Sequence, residues 1–236
     1  MDRAVIKERV KLFADYKDFI DDQKYAEAFD SRSNLHSSVL EEFIFYLFRD
    51  LVLDMGHASM IGKATTLKDM FFAPPSYADM ITHAHPRFEG KDHDFVIGAT
   101  VTLDIRCKGE TVGESKELQL PAVAIECKTY LDKTMLESSS TSAEQIRART
   151  PNARYIIVSE WLKLTEDINL KKYKVEQIYV LRRQKNTDRE FRYEDGYVKN
   201  PINVETVEHL YEMVREHLTS RWITGVNAGL ERGYLL

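Results

Sequence analysis

From Asp94 to Ile105 the chain alternates: Phe95, Ile97, Ala99, Val101, Leu103 and Ile105 fall on one side, with Asp94, Val96, Gly98, Thr100, Thr102 and Asp104 on the other. Successive residues of a strand point to opposite faces, so this pattern specifies a half-buried β-strand and fixes which face turns inward. The polar stretch Lys108 to Glu117, containing Gly109 and Gly113, reads as a turn or loose hairpin tip, and Leu118 to Lys128 as the returning strand. Folded symmetrically about Glu110, the hairpin sets Phe95 opposite Ile125, Ile97 opposite Val123 and Asp94 opposite Glu126. A slip of one residue would turn every apolar side chain to the wrong face. The parity therefore follows from the apolar alternation, independently of the acids.

The rest of the chain supplies layers for this hairpin. Residues 2–29 carry Val5, Ile6, Val10, Phe13, Phe19 and Ile20 at near-helical spacing, which predicts one or two helices. Ser37 or Ser38 is a candidate cap for a helix from Val39 to Val52 whose apolar face is Leu40, Phe43, Ile44, Leu47 and Leu51. Residues 56–92, with Pro74, Pro75, Pro86 and Gly90, read as a long connection of short elements and functional loop. After the hairpin come a helix from Asp132 to Arg149, weakened by the serines of 138–142, and buried-type strands at Ala153–Ser159 and Val175–Arg182. A helix from Pro201 to Trp222, with proline in its first turn, closes the series. This order implies an α/β fold, a mixed central β-sheet flanked by helices. The chain reads as one domain, residues 1–236, with a core at about 35–185 and helical additions at 1–30 and 201–236.

Within Val123-Ala124-Ile125-Glu126-Cys127-Lys128, Glu126 and Lys128 share a face with Ala124, and Val123, Ile125 and Cys127 take the other. Cys127 is thus a core residue, and Cys107 is also read as packing. Asp94 and Glu126 side by side repel one another unless a cation or proton intervenes. A hard ion with oxygen ligands, Mg2+, resolves that conflict with Asp94, Glu126 and the backbone carbonyl of Cys127 as ligands. Lys128 beside such an ion can orient or deprotonate a water, or stabilise developing negative charge. This is equipment for hydrolysing a phosphodiester. Glu41 borders the apolar face of its helix and is the candidate third carboxylate, whereas Glu42 points away. The ordinary alternative is that the two acids cap strand ends and Lys128 pairs with Glu126 at the surface.

Other chemistries lack support. His83, His85 and His93 match no strict zinc template, and they read as solvated or DNA-contacting residues. No Gly-rich phosphate loop runs into Lys-Ser/Thr, and no Gly-x-Ser-x-Gly elbow occurs. A net charge of −5 argues mildly against a protein that coats nucleic acid with a uniformly basic surface, but not against a local cleft. Lys133, Arg147, Arg149, Arg154, Arg182, Arg183 and Lys185 are candidates to line one. The apolar run Phe43–Phe48 is far short of a membrane span of about 20 residues, and the charged N-terminus lacks a signal-peptide core, so a cytoplasmic protein is expected.

With Asp94 as first acid, Glu126 as second, Lys128 as the lysine and Glu41 as the helical glutamate, the chain resembles the PD-(D/E)xK nuclease superfamily. His93 stands where that pattern commonly has proline. The segment from Glu126 through Thr129, Tyr130, Asp132, Lys133 and Met135 to Glu137 is more specifically similar to type II restriction endonucleases of the heterodimeric group that cuts CCTNAGC. The likeness covers roughly residues 35–185 and is most specific over 123–147. It implies a restriction-endonuclease-like core and Mg2+-dependent cleavage of double-stranded DNA at a defined sequence. It also implies a homodimer or a heterodimer with a related subunit, each subunit cutting one strand. Residues 56–92 and 186–200 are the first places to look for base readout. The competing readings are a structure- or methylation-dependent repair or defence nuclease of the same fold, and a noncatalytic DNA-binding subunit.

Overall fold

The computed structural model describes residues 1–28, 35–53, 55–185, 196–222 and 226–234. Helices α1 (Arg3–Ile20), α2 (Gln23–Ala28) and α3 (Leu35–Leu53) precede strand β1 (Ser59–Phe72), the short helix α4 (Tyr77–Thr82), and the long strands β2 (Pro86–Ile105) and β3 (Glu114–Leu131). Helix α5 (Lys133–Arg149), strands β4 (Arg154–Leu162) and β5 (Gln177–Val180), and helices α6 (Val204–Thr219) and α7 (Val226–Arg232) follow. The five strands form one mixed sheet in the order β1-β2-β3-β4-β5, antiparallel among the first three and parallel among the last three.

Each face of the sheet has its own core. Val123, Ile125 and Cys127 of β3 join Phe95, Ile97, Ile156 and Val158 against α1, α3 and α6. Ala124 joins Leu131, Tyr155 and Ile157 against Leu136, Ala143 and Ile146 of α5. The result is an α/β/α sandwich, and the parity of β3 expected from sequence is the one observed. Among the described residues, no helix is long and apolar enough to cross a membrane.

The expected hairpin register holds for Phe95 with Ile125 and Ile97 with Val123, but the ladder stops at the first of these and Asp94 is not paired with Glu126. One step beyond Ile97 the register shifts, because Gly98 pairs with Pro121 and Ala122 becomes the extra residue of a β-bulge. The carbonyl left over at Ala122 accepts from His217 Nε2 of α6 at 3.2 Å. Gly98 is required by space: a Cβ built there would lie 2.1 Å from the carbonyl oxygen of Leu120. Gly98→Ala must therefore move backbone, and overpacking of this kind costs about 1–3 kcal/mol. The expected result is a lowered urea midpoint for the purified variant; an unchanged midpoint would show that the bulge relaxes freely.

Four sequence expectations need correction. Much of 56–92 is a hairpin, with β1 paired to the first part of β2 from Thr65↔Asp92 to Phe72↔Pro86 and α4 at its tip. Neither face of β1 is well buried, and register shifts at Gly62/Ala64 and Leu67/Asp69 break its alternation, so no period of two reaches the sequence. Along β2, only Phe95, Val96 and Ile97 are deeply buried within the alternating run. The apolar residues from Ala99 to Ile105 are only half-buried, beyond the helical layers. Ser37 and Ser38 lie inside α3, which begins at Leu35, and residues 29–34 fall outside the described residues. Finally, α6 starts at Val204, because the Asn203 side chain accepts from Thr206 N–H and sets the boundary after Pro201.

Candidate active site

The site forms where β2 and β3 part. Their ladder runs to Phe95↔Ile125; beyond it β2 continues with β1, as in His93↔Ala64, while β3 continues with β4, as in Glu126↔Ile157. This fork leaves the Cys127 N–H without a strand partner on the β2 side. Asp94 Oδ2 accepts that N–H at 2.9 Å and also accepts from Lys128 Nζ at 3.1 Å. Lys128 Nζ lies 2.9 Å from Glu126 Oε1 as well, so one ammonium bridges both acids. The second oxygen, Glu126 Oε2, accepts from the Tyr155 hydroxyl at 2.8 Å.

These side chains are partly buried, which strengthens their mutual fields. Burial alone would raise the Glu126 pKa, but the Lys128 charge and the hydrogen bonds from Lys128 and Tyr155 outweigh it and bring it down. Burial likewise opposes the Lys128 ammonium, yet Glu126 and Asp94 together raise its pKa. Cys127 is 2% exposed and burial holds its thiol well above the usual range, as suits a packing residue.

Glu41 reaches the same region from α3, on the opposite layer. Burial raises its carboxyl pKa, Lys63 lowers it, and Asp94 raises it again, with a net upward shift. Its ion pair is with Lys63, 3.9 Å away, so it stands at the edge of the cluster.

Among the described residues, no group of three or more His, Cys, Asp or Glu side chains gathers closely enough to hold a metal ion by itself. Two carboxylates around one ammonium carry a net negative charge, and the donors are hard oxygens. That set suits Mg2+, which commonly takes one or two carboxylates and fills its other positions with water and substrate phosphate.

The three histidines do not come together in one site. His83 and His85 meet edge-on at a centroid distance of 4.4 Å, and His83 Nε2 lies 2.8 Å from Glu114 Oε1. His93 is 2% exposed, with Nε2 3.1 Å from Thr66 Oγ1, so it is not the solvated loop residue expected. The proposed basic lining is mostly engaged elsewhere. Arg182 is buried on Glu160; Arg147 pairs with Glu176, Arg149 with Asp69, Arg183 with Glu205, and Lys185 with Glu166. Of the stretch 186–200 suggested for base readout, residues 186–195 lie outside those described.

Sequence reasoning missed Tyr155. It sits in a run that reads as plain buried strand, and only the parallel pairing Ala124↔Tyr155 puts it on the face of Glu126.

Compared with models of known families, residues 32–235 match that of the Bpu10I restriction endonuclease. The chain belongs to that family. Its fold is similar to a solved structure of the native BbvCI A2B2 tetramer, with a TM-score of 0.72 and 19% sequence identity over 93% of this chain and 81% of that one. At that identity the likeness speaks to the fold alone, which in this chain is a five-stranded mixed sheet flanked by helices. No curated protein matches the chain. Membership in the Bpu10I family accounts for a nuclease built on this sandwich.

Proposed function

We propose that this chain is a Mg2+-dependent type II restriction endonuclease subunit that hydrolyses phosphodiester bonds of double-stranded DNA at a specific sequence. The observation that carries this reading is the bridging of Asp94 and Glu126 by Lys128 at the strand fork, 3.1 and 2.9 Å away. In this reading Asp94, Glu126 and the Cys127 carbonyl hold the ion, and Glu41 is a further carboxylate of the site. A strand residue's N–H and C=O point toward the same neighbour. The Cys127 carbonyl therefore turns toward the fork that Asp94 occupies. Bound there, Mg2+ supplies Lewis acidity toward the phosphate and a lowered pKa for a water.

The protein groups do the positioning. Asp94 is fixed by the Cys127 N–H, so its carboxylate is preorganised before DNA arrives. Lys128, kept charged by its two neighbours, can orient the attacking water and stabilise the negative charge that builds on the phosphate. One such site cuts one strand, so a double-strand break needs a second, from an identical or related subunit. The A2B2 assembly of BbvCI supports that expectation. A restriction role, acting on DNA inside the cell, goes with a cytoplasmic location.

Digestion of unmethylated plasmid by the purified protein, alone and with a co-expressed neighbouring subunit, tests the reading. Discrete fragments are expected with Mg2+ and none with EDTA. Cleavage that persists in EDTA would remove the metal from the proposal. A smear, or cutting confined to branched or methylated DNA, would replace the fixed-site reading with a structure- or methylation-dependent nuclease.

A further inference from the structure

Glu126 has two oxygens, and the structure gives them different partners. Oε1 faces Lys128 and the fork, whereas Oε2 is taken by the hydroxyl of Tyr155, which is 1% exposed on β4. The Tyr155 ring is itself held. His93 meets it edge-on, 5.9 Å between centroids, and is anchored in turn by Thr66 of β1 at 3.1 Å. On the other side, Ser142 of α5 is an electrostatic neighbour of the Tyr155 hydroxyl, while its own hydroxyl donates to the Ser138 carbonyl at 3.1 Å. Ser139 and Ser142 are both buried, so serines that weaken α5 as an isolated helix serve here to pack it close behind the site. Three elements thus converge on one phenol whose hydrogen bond ends on a proposed ligand.

We infer that Tyr155 is a positioning residue that retains one oxygen of Glu126 inside the protein and leaves the other as the oxygen offered to the cation. This deepens the function proposed above and rests on Glu126 being a ligand. Its consequence is selectivity. Ca2+ readily takes both oxygens of a carboxylate, whereas Mg2+ demands a compact octahedral shell. A glutamate with one oxygen withheld therefore disfavours Ca2+ relative to Mg2+. Tyr155→Phe removes only the hydroxyl and keeps the ring against His93, so Glu126 becomes free to turn.

The test is titration of the metal alone, MgCl2 or CaCl2, into wild type, Tyr155→Phe, Glu126→Ala and the double variant by calorimetry, with thermal unfolding of each. In wild type against Glu126→Ala, metal affinity should fall at least tenfold, the scale on which support of a ligand also acts. In Tyr155→Phe the ratio of Ca2+ to Mg2+ affinity should rise several-fold, a readout that general loosening would not move. In the Glu126→Ala background the tyrosine change should have no further effect. Ser142→Ala should shift the ratio in the same direction by less, and it stands in if Tyr155→Phe does not fold. If wild type and Glu126→Ala bind alike, the ligand reading itself falls. If they differ but neither Tyr155→Phe nor Ser142→Ala changes the ratio, the inference about Tyr155 fails alone.

Discussion

Lys128→Ala should slow strand cleavage severely while leaving the fold intact. The ammonium bridges two carboxylates at the fork, and its side chain is about a quarter exposed, so truncation opens no core cavity. Removal of a single preorganised group that stabilises transition-state charge costs about 10²–10³-fold in kcat, and loss of a water-orienting role costs a similar factor. Single-turnover cleavage at saturating Mg2+ should therefore slow by about 10³-fold. The thermal unfolding midpoint without metal should fall modestly, because the two carboxylates lose the cation between them, although Asp94 keeps its bond from the Cys127 N–H and Glu126 keeps Tyr155.

The form of the plasmid product adds a second reading. If the partner is a different chain with its own intact site, the variant should convert supercoiled plasmid to nicked circle. If every copy carries the substitution, plasmid should stay supercoiled. A cleavage rate within a few-fold of wild type would remove Lys128 from the chemistry and restore the surface ion pair that an acid-x-Lys triplet more often signifies.

The difference between what the sequence exposes and what it hides has a physical origin in these same residues. The parity of β3 was legible because one face must be apolar, and that parity alone puts Glu126 and Lys128 together. The pairing Phe95↔Ile125 was legible for the same reason, since apolar residues on both strands constrain it. The bulge at Ala122 was not, because it depends on the approach of Gly98 to Leu120 and on a histidine from α6. Strand β1 was invisible as a strand: both its faces are substantially wet, and a wet strand has no reason to alternate. Tyr155 was hidden by a different cause. Its run of apolar neighbours reads as buried strand regardless of what its hydroxyl touches, and its partner is fixed only by the order of strands in the sheet. The reach of Arg182 was misjudged because charge in a sequence defaults to solvent, and this arginine has a buried glutamate waiting for it.

That glutamate anchors the largest stability effect expected of the chain. Lys17 lies on α1 with its side chain fully buried, its Nζ 2.9 Å from Glu160 Oε2 on β4 and 3.6 Å from Asp21 Oδ1. Glu160 Oε1 receives Arg182 Nε at 3.2 Å, and the Arg182 guanidinium also donates to the Asn200 carbonyl at 2.7 Å. Glu160 thus balances two cations, Lys17 and Arg182, and losing either leaves it with one. Lys17→Met substitutes a side chain of similar length, so the cavity term is small, but it leaves the buried Glu160 carboxylate with Arg182 alone, whereas Asp21 keeps Lys199 at 3.3 Å. Breaking a buried pair in this way costs about 3–5 kcal/mol. For a chain of this size that corresponds to a fall in Tm on the order of 10 °C. Replacing Lys17, Glu160 and Arg182 together with apolar residues of similar volume should recover much of the loss, because no charge is then left without a partner. Urea midpoints of the single and triple variants measure both quantities. Because α1 also buries Ile6, Val10, Phe13 and Ile20 in the main core, detaching it would disturb α3 and with it Glu41. Equal destabilisation in the single and the triple variant would instead assign the cost to packing around α1 rather than to the uncompensated charge.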